Sequence, residues 1–112
     1  MIHPVRSLKM GKGKIAAQCC HAAVRCFEVA RQQAPWLLPA WERAGTAKVA
    51  LRCESEEELL AIAKAAKAAG VVHALISDAG RTQIAPGSRT VCGLGPAPVS
   101  QLDEITGTLK LL

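Results

Sequence analysis

A lysine, a glutamine and a histidine near the amino terminus have types and spacing suited to chemistry at a carbonyl group. Lys14, Gln18 and His21 are separated by four and three positions, so they share one stripe of a helix, which Arg25 and Gln32 continue. A cation, an amide and an imidazole can orient a water and stabilise an oxyanion. The other residues of this helix are mostly apolar, so we expect protein to cover it everywhere except along the stripe. The alternative for His21 is an ordinary, partly buried histidine.

A second polar group follows an apolar segment at residues 71–77. Asp78 comes directly after that segment and opens a polar connection that runs to residue 88. A carboxylate at the carboxyl end of a strand commonly points into a site, and loops of this length in a small domain are usually functional. Asp78 could instead form a turn, and Thr82 and Thr90 could be ordinary loop and strand threonines.

Several familiar catalytic arrangements are absent from the sequence. There is no G-x-S-x-G elbow, no H-E-x-x-H, and no Walker or Rossmann context around the glycines near residue 12. The histidines are scattered, and the 5 cysteines include no C-x-x-C pair, which argues against structural zinc and a disulfide framework. We therefore expect small buried thiols in a reducing compartment. An enzyme of this sequence should need no metal or cofactor and no covalent serine.

The charge distribution favours a polyanionic partner. The chain carries a net charge of +5, and Arg6, Lys9, Lys12 and Lys14 precede the first acidic residue. The charge alone does not separate RNA from DNA or a membrane surface, and the lysines could simply confer solubility. The chain shows no signal peptide and no apolar run long enough for a bilayer, so we expect a cytoplasmic protein without membrane contact in this segment. Mitochondrial association would be expected if a longer form has an amino-terminal extension.

The periodicity of the sequence predicts one α/β domain over residues 1–112, a sandwich with a small mixed sheet and helices on its faces. A helix that starts at residue 13 or 14 should end before Ala34-Pro35, and Ser55 should cap a helix whose first turn holds three glutamates. The predicted strands are 2–8, 46–53, 71–77 and 89–94. Pro4 should confine the first of them to an edge of the sheet, and we expect the third at its centre. Shorter helices are predicted at 36–44 and 99–106, and an extended end at 109–112.

Four ordered motifs give the chain a resemblance to a known family. L-K-M-G-K-G-K-I-A-A-Q-C-x-H-A-A at residues 8–23, S-D-A-G-R-T-Q-I-A-P-G-S at 77–88, T-V-x-G-L-G-P at 90–96 and T-G-x-L-K-L at 106–111 are similar to those of the type 2 peptidyl-tRNA hydrolases of archaea and eukaryotes. The resemblance covers the chain from about residue 8 to its end. It implies a metal-free esterase that cleaves the bond between a peptidyl group and the 3′-terminal ribose of tRNA, on a four-stranded mixed sheet and often as a homodimer.

The resemblance also implies site residues and their roles. Asp78, with His21 as a second candidate, would position or deprotonate the attacking water, Lys14 would stabilise the oxyanion, and Gln18 and Thr90 would hold the ester. Residues of the basic loop and of the D-A-G-R-T-Q motif would contact tRNA, and no DNA partner is expected. These tRNA-binding candidates are Lys9, Lys12, Arg81, Thr82 and Gln83.

The sequence departs from the family pattern at a few positions. Ser7 stands where an acid or amide is expected, Cys20 replaces a commoner serine, and Leu112 stands where many relatives end in an aromatic residue. Stacking on the terminal adenine would therefore need a tryptophan or an arginine. The principal alternative function is a non-catalytic RNA-binding or adaptor protein of the same fold. A small-molecule-binding regulatory domain is a third reading, which the basic loop disfavours.

Overall fold

The computed structural model describes residues 2–4, of which only the backbone is considered, and residues 10–77 and 87–112. Its elements in chain order are β1 (Ile2–Pro4), α1 (Lys12–Gln33), a 3-10 turn (Pro35–Leu37), α2 (Leu38–Arg43), α3 (Glu56–Ala68), β2 (His73–Ser77), β3 (Arg89–Leu94) and α4 (Val99–Thr106). The predicted helices are all present, with bounds close to those expected. No helix in these ranges is both long enough and apolar enough to cross a bilayer.

The sheet differs from the predicted one. In the described part of the chain it has three strands in the order β1-β3-β2, and both neighbouring pairs are antiparallel. A four-stranded mixed sheet is therefore not seen in these residues, and β2, which we expected at the centre, lies at an edge. The burial of the two strands agrees with this order, because five consecutive residues of β3 are buried whereas β2 is largely half-buried.

The predicted strand at residues 46–53 pairs with the end of the chain. Leu51 forms an antiparallel bridge with Leu111. The backbone N–H of Arg52 donates to the Lys110 carbonyl at 3.0 Å, and the N–H of Leu112 donates to the Ala50 carbonyl at 3.1 Å. The prediction of a strand over residues 46–53 is therefore wrong: this segment forms isolated bridges outside the three-stranded sheet, and Leu51 pairs there with the end of the chain.

Helix α1 covers one face of the sheet with one of its own faces. Its buried residues recur at every fourth position, namely Gln18, Ala22, Cys26 and Ala30. The opposite side is open, and Val24 there is 59% exposed. The expectation that protein surrounds this helix except along the polar stripe is therefore wrong. Small alanine and cysteine side chains on its outer side are exposed to solvent.

Helices α3 and α4 cover the other face of the sheet. Cys92 and Leu94 of β3 pack into a core with Leu59 of α3 and Leu102 of α4. Val91, which alternates with them, packs against α1 at Ala22. Strand β3 therefore separates two apolar layers, and the molecule has helices on both faces, as the periodicity predicted.

The start of α3 is capped as the sequence indicated. The Ser55 hydroxyl accepts a hydrogen bond from the Glu58 N–H at 3.0 Å, and Glu58 in turn accepts one from the Glu54 N–H at 3.1 Å. The Glu56 carboxylate has a further partner, since it accepts from the backbone N–H of Arg89 at 3.0 Å. Helix α3 is therefore also hydrogen-bonded to the first residue of β3.

The two tryptophans differ in burial. Trp41 donates its indole N–H to the Ala47 carbonyl at 2.9 Å and lies 6.5 Å from the Phe27 ring, measured between centroids. Trp36 is 73% exposed. Trp41 therefore packs against α1, whereas Trp36 faces solvent.

Candidate active site

Two predicted site residues from distant motifs meet in a buried hydrogen bond. The Gln18 side-chain amide donates from Nε2 to the Thr90 hydroxyl at 2.8 Å, although the residues are 72 positions apart. Gln18 is only 5% exposed and Thr90 is fully buried. The bond joins α1 to β3.

An irregularity in the sheet lets Thr90 reach α1. The pairing of β2 with β3 aligns Ile76 with Val91 but Ser77 with Arg89, so Thr90 is an extra residue at a bulge. Strict alternation would direct Thr90 to the α3 side with Cys92, but a bulge redirects a side chain. The Thr90 hydroxyl donates to the Ile76 carbonyl at 3.2 Å, which ties it to the bulge. The sequence carried no glycine or other signal for this irregularity.

The other described site candidates flank Gln18 along α1. Lys14 lies one helical turn before Gln18 and is half-buried, whereas His21 lies nearly one turn after it and is exposed. We call Lys14, Gln18 and His21 with Thr90 the polar row; along α1 the exposure of its side chains increases from the Gln18 amide to the His21 imidazole. Lys12 is exposed in the first turn of α1, a turn that contains no acidic residue and no capping side chain.

The lysines at the start of α1 are placed against the helix dipole. Cations near a helix N-terminus cost about 0.3–1 kcal/mol each, because the first-turn N–H groups are themselves electropositive. Lys12 and Lys14 therefore add to a local positive potential that does not serve helix stability. Such a potential suits an anionic ligand or a developing negative charge.

The remaining candidates, Lys9, Asp78, Arg81, Thr82 and Gln83, lie outside the described residues. Ser77, which immediately precedes Asp78, is paired with Arg89, the residue before Thr90. Ser77, the last described residue before the D-A-G-R-T-Q motif, therefore lies beside the start of β3. The sequence did not single out Arg89, which is exposed at the start of β3, because an arginine at the start of a strand has no distinguishing pattern.

The buried thiols are poor nucleophiles. Burial raises the pKa of Cys26 to about 11 and that of Cys92 to about 12, so both stay protonated near neutral pH. All five cysteines are free, and three are buried, whereas Cys20 is exposed and Cys19 partly so. The expectation of free thiols is correct, but not every one is buried.

No three histidine, cysteine, aspartate or glutamate side chains converge to hold a metal ion within residues 10–77 and 87–112.

The apolar hollows lie away from the polar row on α1. One of about 460 Å³ is lined by residues that include Trp36, Trp41 and Val99, and by none of the predicted site residues. The polar row on α1 is therefore separate from this hollow.

The observed fold and site define an α/β protein with a polar row where α1 packs on the start of β3, formed by an amide, a hydroxyl and a lysine near a basic helix start. The sequence profile described as "Peptidyl-tRNA hydrolase PTH2" matches residues 1–112. The chain belongs to the peptidyl-tRNA hydrolase PTH2 family.

Curated relatives agree with this family. The mouse and human proteins named "Peptidyl-tRNA hydrolase 2, mitochondrial" are each 52% identical over 112 residues, which cover 99% of this chain and 62% and 63% of theirs. The "Peptidyl-tRNA hydrolase" of Methanococcus maripaludis strain C7 is 46% identical over 105 residues, 94% of this chain and 90% of its own. The chain thus spans about three fifths of the length of these mammalian relatives.

Proposed function

We propose that this chain hydrolyses the ester bond between a peptidyl group and the 3′-terminal ribose of tRNA, and so returns tRNA to translation. The observation that carries the proposal is the Gln18–Thr90 hydrogen bond, which unites two separate family motifs next to Lys14. Family membership and the names of the relatives support the choice of ester.

The proposed reaction uses Lys14 and His21 of α1 and the aspartate of the D-A-G-R-T-Q motif. Water adds to the ester carbonyl carbon, and the oxyanion that forms is stabilised by the Lys14 ammonium. The proton released by the water passes to Asp78, with His21 as the alternative base, and is returned to the ribose oxygen as the carbon–oxygen bond breaks. The sequence order supports Asp78, since it directly follows Ser77, which is paired with the residue before Thr90.

We assign the tRNA backbone to the basic start of α1. Lys12 would contact phosphates at the end of α1 where Lys14 also lies, with Lys9, Arg81, Thr82 and Gln83 from the two flanking motifs. Phosphate contacts position the substrate without reading sequence, which fits a hydrolase that must accept many tRNAs. The absence of acidic residues from the first turn of α1 supports this assignment.

The test is to incubate the protein with an N-blocked aminoacyl-tRNA and to follow release of the amino acid, with and without EDTA. We expect hydrolysis that EDTA does not change. Binding of the tRNA without hydrolysis would favour the adaptor alternative, and loss of hydrolysis in EDTA would overturn the metal-free mechanism.

The proposal also includes a homodimer and a cytoplasmic location, with mitochondrial association as the alternative. The mammalian relatives carry "mitochondrial" in their names, whereas the sequence favours the cytoplasm. Sedimentation of the purified chain tests the homodimer, and fractionation of cells expressing the untagged protein tests its location.

A further inference from the structure

The Thr90 hydroxyl determines which way the Gln18 amide faces. A hydroxyl has one proton, and Thr90 donates it to the Ile76 carbonyl at 3.2 Å, which can only accept. The second contact of that oxygen, at 2.8 Å to Gln18, therefore needs a donor. Only the nitrogen of the Gln18 amide can serve, so the amide nitrogen faces the sheet.

The orientation of the nitrogen also fixes the orientation of the oxygen. The amide group is planar, so Oε1 points away from Thr90 and is presented as a hydrogen-bond acceptor. An acceptor oxygen repels a developing oxyanion and attracts the hydrogen of a donor. This excludes Gln18 Oε1 from the role of oxyanion stabiliser, whereas the Lys14 ammonium and the second proton of Gln18 Nε2 can still donate to an oxyanion.

We propose that Thr90 is a positioning residue, which holds the Gln18 amide so that its oxygen accepts a hydrogen bond from a donor in the reaction. The inference rests on the proposed function and changes one assignment within it, because a fully buried Thr90 does not itself hold the ester. The donor is either the attacking water or a donor group of the substrate, such as the peptide N–H or the 2′-hydroxyl of the ribose.

A double-mutant cycle separates action through Gln18 from direct action on the substrate. The variants are Thr90→Val, which keeps the shape but removes the hydroxyl, Gln18→Met, and the double variant. We expect Thr90→Val to lower kcat/KM about tenfold, the worth of one oriented hydrogen bond. The double variant should be no slower than Gln18→Met alone, because Thr90 then has no amide to hold.

Thr90→Ser is the matched control, since it keeps the hydroxyl and should retain activity within about threefold of the original chain. A double variant whose loss equals the product of the single losses would overturn the proposal, because Thr90 would then act independently. So would full activity in Thr90→Val. A loss confined to kcat identifies the water as the donor, and a loss confined to KM identifies a substrate group.

Hydrogen exchange of the Gln18 amide needs no substrate, so it tests the positioning role of Thr90 separately from the proposed hydrolase activity. The side-chain amide protons of Gln18 should exchange slowly with solvent, by NMR of the ¹⁵N-labelled protein, in the original chain and in Thr90→Ser. They should exchange rapidly in Thr90→Val. All three proteins are compared at one temperature, at which their unfolding curves show that each is folded. Unchanged exchange in Thr90→Val would overturn the positioning role, whereas a chain that fails to hydrolyse any peptidyl-tRNA would overturn the proposed function alone.

Discussion

At the scale of single residues, the candidates on α1 differ in what surrounds them. Gln18 is buried against the sheet, Lys14 is half-buried, and His21 is exposed. A charge held partly away from water interacts more strongly with a nearby oxyanion than a fully solvated one does. Lys14 is therefore better placed than His21 to stabilise charge, whereas His21 keeps access to solvent protons.

The first prediction concerns Lys14. Lys14→Ala should lower the rate of peptidyl-tRNA hydrolysis by on the order of a hundredfold, because it removes the cation assigned to the oxyanion. The measurement is initial rates on one N-blocked aminoacyl-tRNA. Lys64→Ala is the matched control, since Lys64 is an exposed lysine on α3, across the sheet from α1. Equal rates in both variants would refute the role of Lys14.

The second prediction concerns the buried thiols. Burial raises the pKa of Cys26 and Cys53 to about 11 and that of Cys92 to about 12, from 9.0. Unfolded thiols therefore lose protons at lower pH than folded ones. The stabilisation is complete below about pH 9 and decreases as the pH rises toward 11 to 12.

The measurement is the urea midpoint at pH 8 and at pH 10.5. The midpoint should fall between these values, and it should fall less in a variant with alanine at Cys26, Cys53 and Cys92. Lysine deprotonation is common to both proteins and cancels in the comparison. An identical fall in both would show that the thiols do not contribute.

At the scale of elements, the sequence predicted what local signals determine. Ala34-Pro35 ends α1, and Ser55 caps α3, because backbone geometry and a single side chain decide those boundaries. Strand order was not predictable in this way. Residues 71–77 and 89–94 are similarly apolar, and the central position of β3 depends on contacts with both helix layers, which no local pattern encodes.

The site was predictable to a similar extent. The stripe of Lys14 and Gln18 followed from helical spacing alone. The contact between Gln18 and Thr90 depends on a bulge, and alternation along β3 would have directed Thr90 to the opposite face. The resemblance supplied Thr90 as a candidate, but only the structure gives the direction of its hydrogen bonds.

The third prediction belongs to the contact between α1 and β3. A Cβ atom on Gly93 would lie 2.6 Å from the Cys26 sulfur and 3.1 Å from the Ala22 carbonyl oxygen. Gly93→Ala should therefore push α1 off the sheet and lower the free energy of unfolding by about 1–3 kcal/mol. It should also weaken the Gln18–Thr90 bond, one helical turn away.

Gly13→Ala provides the control, because Gly13 is helical and a Cβ there meets nothing within 4 Å. That change should raise stability by about 0.5–1 kcal/mol, through helix propensity. Urea unfolding measures both variants. A Gly93→Ala protein as stable as the original chain would contradict the close packing of α1.

At the scale of the whole molecule, the polar row lies at the first half of α1, whereas Phe27 and Trp41 pack together at its second half. The helix has 22 residues, which corresponds to about 33 Å. Gln18 lies near its start, and Trp41, which follows the helix in the chain, packs against Phe27. The expectation that a tryptophan or an arginine stacks on the terminal adenine therefore stays a prediction, and Arg89, which is exposed beside Thr90, is an arginine candidate for it.

The fourth prediction concerns salt. If the basic start of α1 contacts phosphates, tRNA binding should weaken as salt is raised, along a straight line of log affinity against log salt concentration. Lys12→Ala should make that slope shallower by about one, whereas Lys64→Ala should leave it unchanged. Fluorescence anisotropy of a labelled tRNA at several KCl concentrations measures the slopes. Equal slopes for the Lys12→Ala and Lys64→Ala proteins would remove Lys12 from the phosphate contacts.

The distance along the chain between Gln18 and Thr90 bears on how activity is gained during folding. Their bond closes a loop of 72 residues, which contains all of α2, α3 and β2. Loop-closure entropy opposes such a contact until intervening elements have packed. A partly folded chain can hold α1 and still lack the amide in its working orientation. Competence to act on the ester should therefore arise late, together with docking of α1 onto β3.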